Sequence, residues 1–131
     1  QNDSGRFQCE LVKMKKEKSC AQWLMRMPGA FELPIAHGEG KFMAMTPALL
    51  KSMAKNRQVV FRYTGKNPNG SALAIAACCN PDGNVIGMMP HPERFVTQYQ
   101  HPDWTSSAKT AASAPGLIFW QCAVNYAKSL A

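Results

Sequence analysis

A chain of 131 residues with a 46% apolar share fits one domain that buries roughly two thirds of its unfolded surface, which argues against disorder. A formal charge of +7 calls for an anionic partner or a solvated basic edge, but without interleaved aromatics or a recognisable motif it excludes a nucleic-acid module. No apolar run approaches the roughly 20 residues of a membrane span, nothing reads as a signal peptide, and five scattered cysteines without C-x-x-C frame neither a zinc site nor a disulfide scaffold, so a cytoplasmic setting with no membrane partner is expected.

In chain order, alternation of apolar and polar residues through Phe7, Cys9, Leu11, Val12 and Met14 predicts a strand over Arg6–Lys15. The densest basic cluster, Lys13, Lys15, Lys16 and Lys18, reads as a solvated edge. Cys20–Met27 is a short helix or loop carrying Trp23. The apolar run Glu32–His37 ends at His37-Gly38-Glu39-Gly40, where two glycines permit tight backbone. Thr46 then caps a helix with Pro47 at its first position and Leu49, Leu50, Met53 and Ala54 on one face.

Gln58–Tyr63, rich in β-branched and aromatic residues, reads as a strand, and Asn67–Ser71 is turn chemistry. Leu73–Cys79 and Asn84–Met89 form a hairpin across Asn80-Pro81-Asp82-Gly83, a type I turn ending in a left-handed residue. Gln100–Pro115, poor in large apolar residues, is expected as a surface loop. Leu117–Leu130 closes the chain as a helix with Leu117, Trp120, Ala123, Val124 and Ala127 on one face and Gln121, Asn125 and Lys128 opposite. The whole, residues 1–131, is one mixed α and β unit. Its first residue, Gln1, is not an initiator Met, so the chain is expected to be a piece of something longer.

The chemistry concentrates in Met88-Met89-Pro90-His91-Pro92-Glu93-Arg94. Pro92 drives His91 toward extended backbone, and in extended chain residues i and i+2 project to the same side. The Glu93 carboxylate can then bond one imidazole nitrogen of His91 and leave the other as a base, which is the base-plus-orienter half of a nucleophilic triad. A surface His beside a surface Glu has the same spacing. A metal site built from His37, Glu39, His91 and Glu93 would need two distant loops to meet, and no metal is expected.

Four consecutive blocks decide among these: Pro34-Ile35-Ala36-His37-Gly38-Glu39-Gly40, Val59–Tyr63, Asn67–Ser71 and Gly87–Arg94. Together with the opening Asn2–Cys9 they resemble the glutaminase subunits, or fused glutaminase domains, of phosphoribosylformylglycinamidine synthases, which are class I glutamine amidotransferases. The resemblance implies the C-terminal portion of an α/β, flavodoxin-like sheet with flanking helices, the N-terminal half with its nucleophile elbow being absent. It implies catalytic roles for His91 and Glu93 in a Cys–His–Glu triad that releases ammonia from L-glutamine. His37, Gly38 and Glu39 match the loop that holds the ends of glutamine. A synthetase domain or subunit, with ATP and Mg, would use the ammonia to convert formylglycinamide ribonucleotide to the amidine in purine synthesis. No cofactor is implied in this chain.

The family's nucleophile stands in a glycine-flanked Cys turn, and Cys9, Cys20, Cys78, Cys79 and Cys122 all lack that setting. The chain alone is therefore expected to be inactive, to need the missing half, and to self-associate through uncovered apolar surface. The alternative is a catalytically dead interaction module that binds a partner through its basic face.

Overall fold

A computed structural model describes residues 1–105 and 114–131. Five strands form the sheet: β1 (Gln8–Lys16), β2 (Ala30–His37), β3 (Val59–Tyr63), β4 (Ile75–Cys79) and β5 (Ile86–Met88). Their spatial order is β2-β1-β3-β4-β5, and every neighbouring pair is antiparallel. Two helices accompany them, α1 (Pro47–Lys55) and α2 (Pro115–Ser129). This is the mixed α and β architecture expected from the sequence.

The sheet follows from period-two patterning. Val12 and Met14 of β1 sit opposite Leu33 and Phe31 of β2, and all four are buried. Met14 also faces Tyr63 of β3, and the Phe31 and Phe61 rings meet edge to face with centroids 5.0 Å apart. Pro34 is tolerated because β2 is an edge strand and needs no donor there. The Pro34 carbonyl is used instead: it accepts the His91 backbone N–H at 2.8 Å. The chain leaving edge strand β5 thus lands on the opposite edge strand, so the sheet is curled.

The β4–β5 hairpin turns where expected, with Gly83 at φ 72°. Trp23, in a 3-10 turn over Gln22–Leu24, donates from its indole Nε1–H to the Gly83 carbonyl at 2.7 Å and stacks on Tyr126 of α2. A further 3-10 turn over Ala72–Ala74 replaces the first residues of the strand predicted from Leu73.

Three local expectations change. In α2 the packed residues are Gly116, Phe119 and Cys122, while the stripe of Leu117, Trp120 and Val124 stays exposed, because α2 meets the rest of the chain through the Trp23 turn and the turn after His91. Helix α1 is capped as expected by Thr46, whose hydroxyl accepts the Leu49 N–H at 3.1 Å, yet it buries none of its residues. Lys16 leaves the basic edge: its ammonium donates to the Met25 and Met27 carbonyls, 2.7 Å each, capping the turn below. Of the loop expected over Gln100–Pro115, residues 106–113 lie outside the described residues. Among the described residues no helix is long and apolar enough to cross a membrane.

Candidate functional site

The segment after β5 is positioned at both ends. The backbone of Met89 donates to the Ala76 carbonyl of β4 and that of His91 to Pro34 of β2. His91 adopts extended backbone, φ −103° and ψ 93°, as a residue before proline should. Pro92–Arg94 then tightens into a 3-10 turn, so Glu93 reaches His91 through curvature rather than through continued extended chain. The expected pairing still forms, with His91 Nδ1 2.7 Å from Glu93 Oε1.

Helix α2 supports that turn from behind. The Gly116 N–H donates to the Phe95 carbonyl at 3.0 Å, and a Cβ on Gly116 would lie 1.9 Å from the Pro92 carbonyl oxygen. Only glycine permits this approach. Partial burial of Glu93 favours the neutral acid, but the hydrogen bonds from its own backbone amide and from His91, with the charges of His91 and Arg94, outweigh it and hold the carboxyl below its ordinary value. Glu93 therefore stays an anion through the neutral range and accepts the Nδ1 proton, which leaves His91 Nε2 as the basic nitrogen. The pair lines a cleft of about 460 Å³ with Trp23, Met88, Trp120 and Tyr126.

The second candidate segment, after β2, is built differently. His37 lies within electrostatic reach of His91. Glu39 and Gly40 line a separate groove of about 340 Å³ with Phe42, Met43, Cys78 and Met89. A Cβ on Gly38 would stand 3.8 Å from the exposed Phe7 ring, an ordinary contact distance. The structure thus sets His37 within electrostatic reach of the His91 ring and leaves Glu39 on a groove lined by neither His91 nor Glu93.

Sequence reasoning missed two residues here, Asn2 and Asn69, which are both buried and both bonded to His37 and Gly40. Asn69 reads as an ordinary turn residue, and nothing in a linear pattern marks a buried amide. Burial also lowers the tendency of His37 to take a proton, with the nearby His91 adding to the effect.

The thiols divide by environment. Burial pushes the Cys79 thiol up to about 12, reinforced by Cys20, whose Sγ is 3.3 Å away, and burial raises Cys78 and Cys122 as well. Cys9 is exposed on β1. Among the described residues no group of three or more His, Cys, Asp or Glu side chains is placed to hold a metal ion.

Comparison with known proteins places this geometry. The family of CobB/CobQ-like glutamine amidotransferase domains matches residues 1–127. The chain is 34% identical over 139 residues to phosphoribosylformylglycinamidine synthase subunit PurQ of Treponema denticola, a match covering 95% of this chain and 50% of that protein. It is 48% identical over 95 residues to the PurQ subunit of Nostoc sp., covering 71% of this chain and 42% of the relative. A solved structure of PurLQS from Thermotoga maritima superposes with a TM-score of 0.70 at 30% identity, over 96% of this chain and 50% of that one. The chain spans about half the length of the curated relatives it matches.

Proposed function

Since the chain belongs to the family of CobB/CobQ-like glutamine amidotransferase domains, we propose that it is the glutaminase part of a phosphoribosylformylglycinamidine synthase, with His91 and Glu93 as catalytic residues. The observation that carries this reading is the 2.7 Å contact between His91 Nδ1 and Glu93 Oε1 in a member of that family. Glu93 orients the ring and stabilises the imidazolium, while Nε2 moves the proton.

In this reading a cysteine thiolate attacks the side-chain amide carbon of glutamine, and His91 protonates the departing nitrogen as ammonia. Water activated by His91 then cleaves the thioester and gives glutamate. The thiolate comes from polypeptide outside these 131 residues, because the buried thiols are raised and none of the five stands in a glycine-flanked turn. The isolated chain is then inactive. Gly38 and Glu39 meet the ends of glutamine, Glu39 from the wall of its groove, and His37 supports them.

The ammonia passes to a synthetase domain or subunit that holds ATP and magnesium and aminates formylglycinamide ribonucleotide. A cytoplasmic location goes with that pathway role. The test is reconstitution of this chain with the nucleophile-bearing polypeptide and its synthetase, followed by ammonia release from glutamine. His91→Ala should lower the rate by a factor of about 100 or more, the contribution of a positioned proton-transfer group. Unchanged glutaminase activity in that variant would overturn the assignment.

A further inference from the structure

We propose that Asn2 and Asn69 are positioning residues that lock the His37 ring in one tautomer, Nδ1–H, and through it fix the backbone of the Gly38–Gly40 loop. The proposal rests on the glutamine reading only for what the loop is used for.

Backbone groups settle the orientation of both amides. Gly40 N–H donates to Asn2 Oδ1 at 3.1 Å, while Asn2 Nδ2 donates to the Arg6 and His37 carbonyls at 2.8 and 2.9 Å. The Ser71 N–H donates to Asn69 Oδ1 at 3.1 Å, and Asn69 Nδ2 donates to the Gly40 carbonyl at 2.7 Å. A backbone N–H cannot accept and a carbonyl cannot donate, so neither amide can be turned over. His37 Nδ1 therefore faces an acceptor, Asn2 Oδ1 at 3.1 Å, and Nε2 faces a donor, Asn69 Nδ2 at 3.4 Å. One Asn69 amide proton goes to the Gly40 carbonyl and the other is shared between Nε2 and the Tyr63 hydroxyl oxygen, each 3.4 Å away. Only the neutral ring with its proton on Nδ1 therefore satisfies both His37 contacts.

The same two side chains grip the loop itself. Asn2 binds the His37 carbonyl through its amide, the Gly38 carbonyl through its own backbone N–H at 2.9 Å, and the Gly40 N–H. Asn69 holds the Gly40 carbonyl, and the ring of His37 fills the space where a Gly40 Cβ would stand, 2.4 Å away. Protonating Nε2 sets an N–H against the Asn69 amide hydrogens, so the clamp opens as the pH falls.

The titratable groups on the segments around the clamp are Glu39 on the same loop, Asp3, paired with Lys41, and the Gln1 amine on either side of Asn2 in the chain, the Tyr63 hydroxyl of β3, bonded to Asn69, and His91 after β5, whose charge acts on His37. Burial and His91 both disfavour the charged ring, against the backbone bond of His37, which favours it.

Labelling the chain with 15N-histidine gives three ring systems, His37, His91 and His101, to follow by NMR from pH 8 to pH 4.5. His37 should show the Nδ1–H tautomer at neutral pH and a midpoint below the roughly 6.5 of an ordinary histidine. Asn69→Asp places a carboxylate opposite Nε2 and should raise that midpoint by about 1–3 units. An Nε2–H tautomer, or an unmoved midpoint in a folded Asn69→Asp protein, overturns the proposal. Amide exchange at Gly40, whose N–H is held by Asn2 Oδ1, gives a second measure in the unsubstituted chain. After correction for intrinsic rates, protection should be lost with the His37 midpoint, and protection that ignores it is equally fatal. Glutamine binding by the reconstituted enzyme is scored apart: a clamp that titrates as stated in a protein that never binds glutamine keeps the clamp and removes only the glutamine role.

Discussion

Gly116 of α2 lies against the Pro92 carbonyl so closely that a Cβ would sit 1.9 Å from the oxygen, and its own N–H bonds Phe95 on the far side of the same turn. The glycine joins the last helix to the turn that carries Glu93. Gly116→Ala must push helix and turn apart, at a cost of about 1–3 kcal/mol by the scale of overpacked interiors. Urea unfolding of the variant measures that loss, and unchanged stability would mean the contact is not made.

The His91–Glu93 contact makes a separable prediction. Glu93→Gln keeps the shape but removes the charge that orients the ring, so glutaminase turnover in the reconstituted enzyme should fall by about 100-fold or more. Because the folded carboxyl is held below its ordinary value, the pairing is fully present above roughly pH 4.3 and is lost only as pH falls through the depressed folded value. An acid limb of activity near neutrality that vanishes in Glu93→Gln while turnover is kept would assign that limb to Glu93 and contradict a depressed carboxyl.

Thiol chemistry should follow burial. A maleimide should label the exposed Cys9 first, while Cys79 and Cys122 react only after denaturant is added. A glutamine analogue bearing an electrophile should leave all five cysteines of this chain unlabelled in the reconstituted enzyme and mark the partner polypeptide instead. Stoichiometric labelling of any of the five would place the nucleophile in this chain.

Uncovered apolar surface predicts association. Trp120 is 44% exposed and Val124 51%, on the outward stripe of α2, and Met45, just before α1, is 94% exposed. Alone, the chain should sediment as more than a monomer, and Trp120→Glu with Val124→Glu should shift it toward the monomer. A monodisperse monomer before any substitution would remove the premise.

Several elements were legible in the sequence for stated physical reasons. Alternation at Val12 and Met14 marked β1, Thr46 and Pro47 marked the start of α1, and Asp82-Gly83 marked the hairpin. Each signal depends on neighbours along the chain. The family was legible too, because its motifs are local blocks, and the relatives bear it out. What misled was orientation: the apolar stripe of Leu117, Trp120 and Val124 on α2 looks like a core face, but Gly116 and Phe119 are the residues that pack.

The sequence by itself determined that His91 is extended before Pro92 and has a carboxylate two residues on, since proline sterics and residue spacing act within a few bonds. The tertiary structure alone decided that the pair rests on Pro34 and Gly116, residues 57 positions before and 25 after His91 in the numbering, and that Asn2 and Asn69 meet around His37. Such contacts arise from how a curled sheet returns one edge to the other. No local preference encodes that closure, because its energy is shared among strands far apart in the chain.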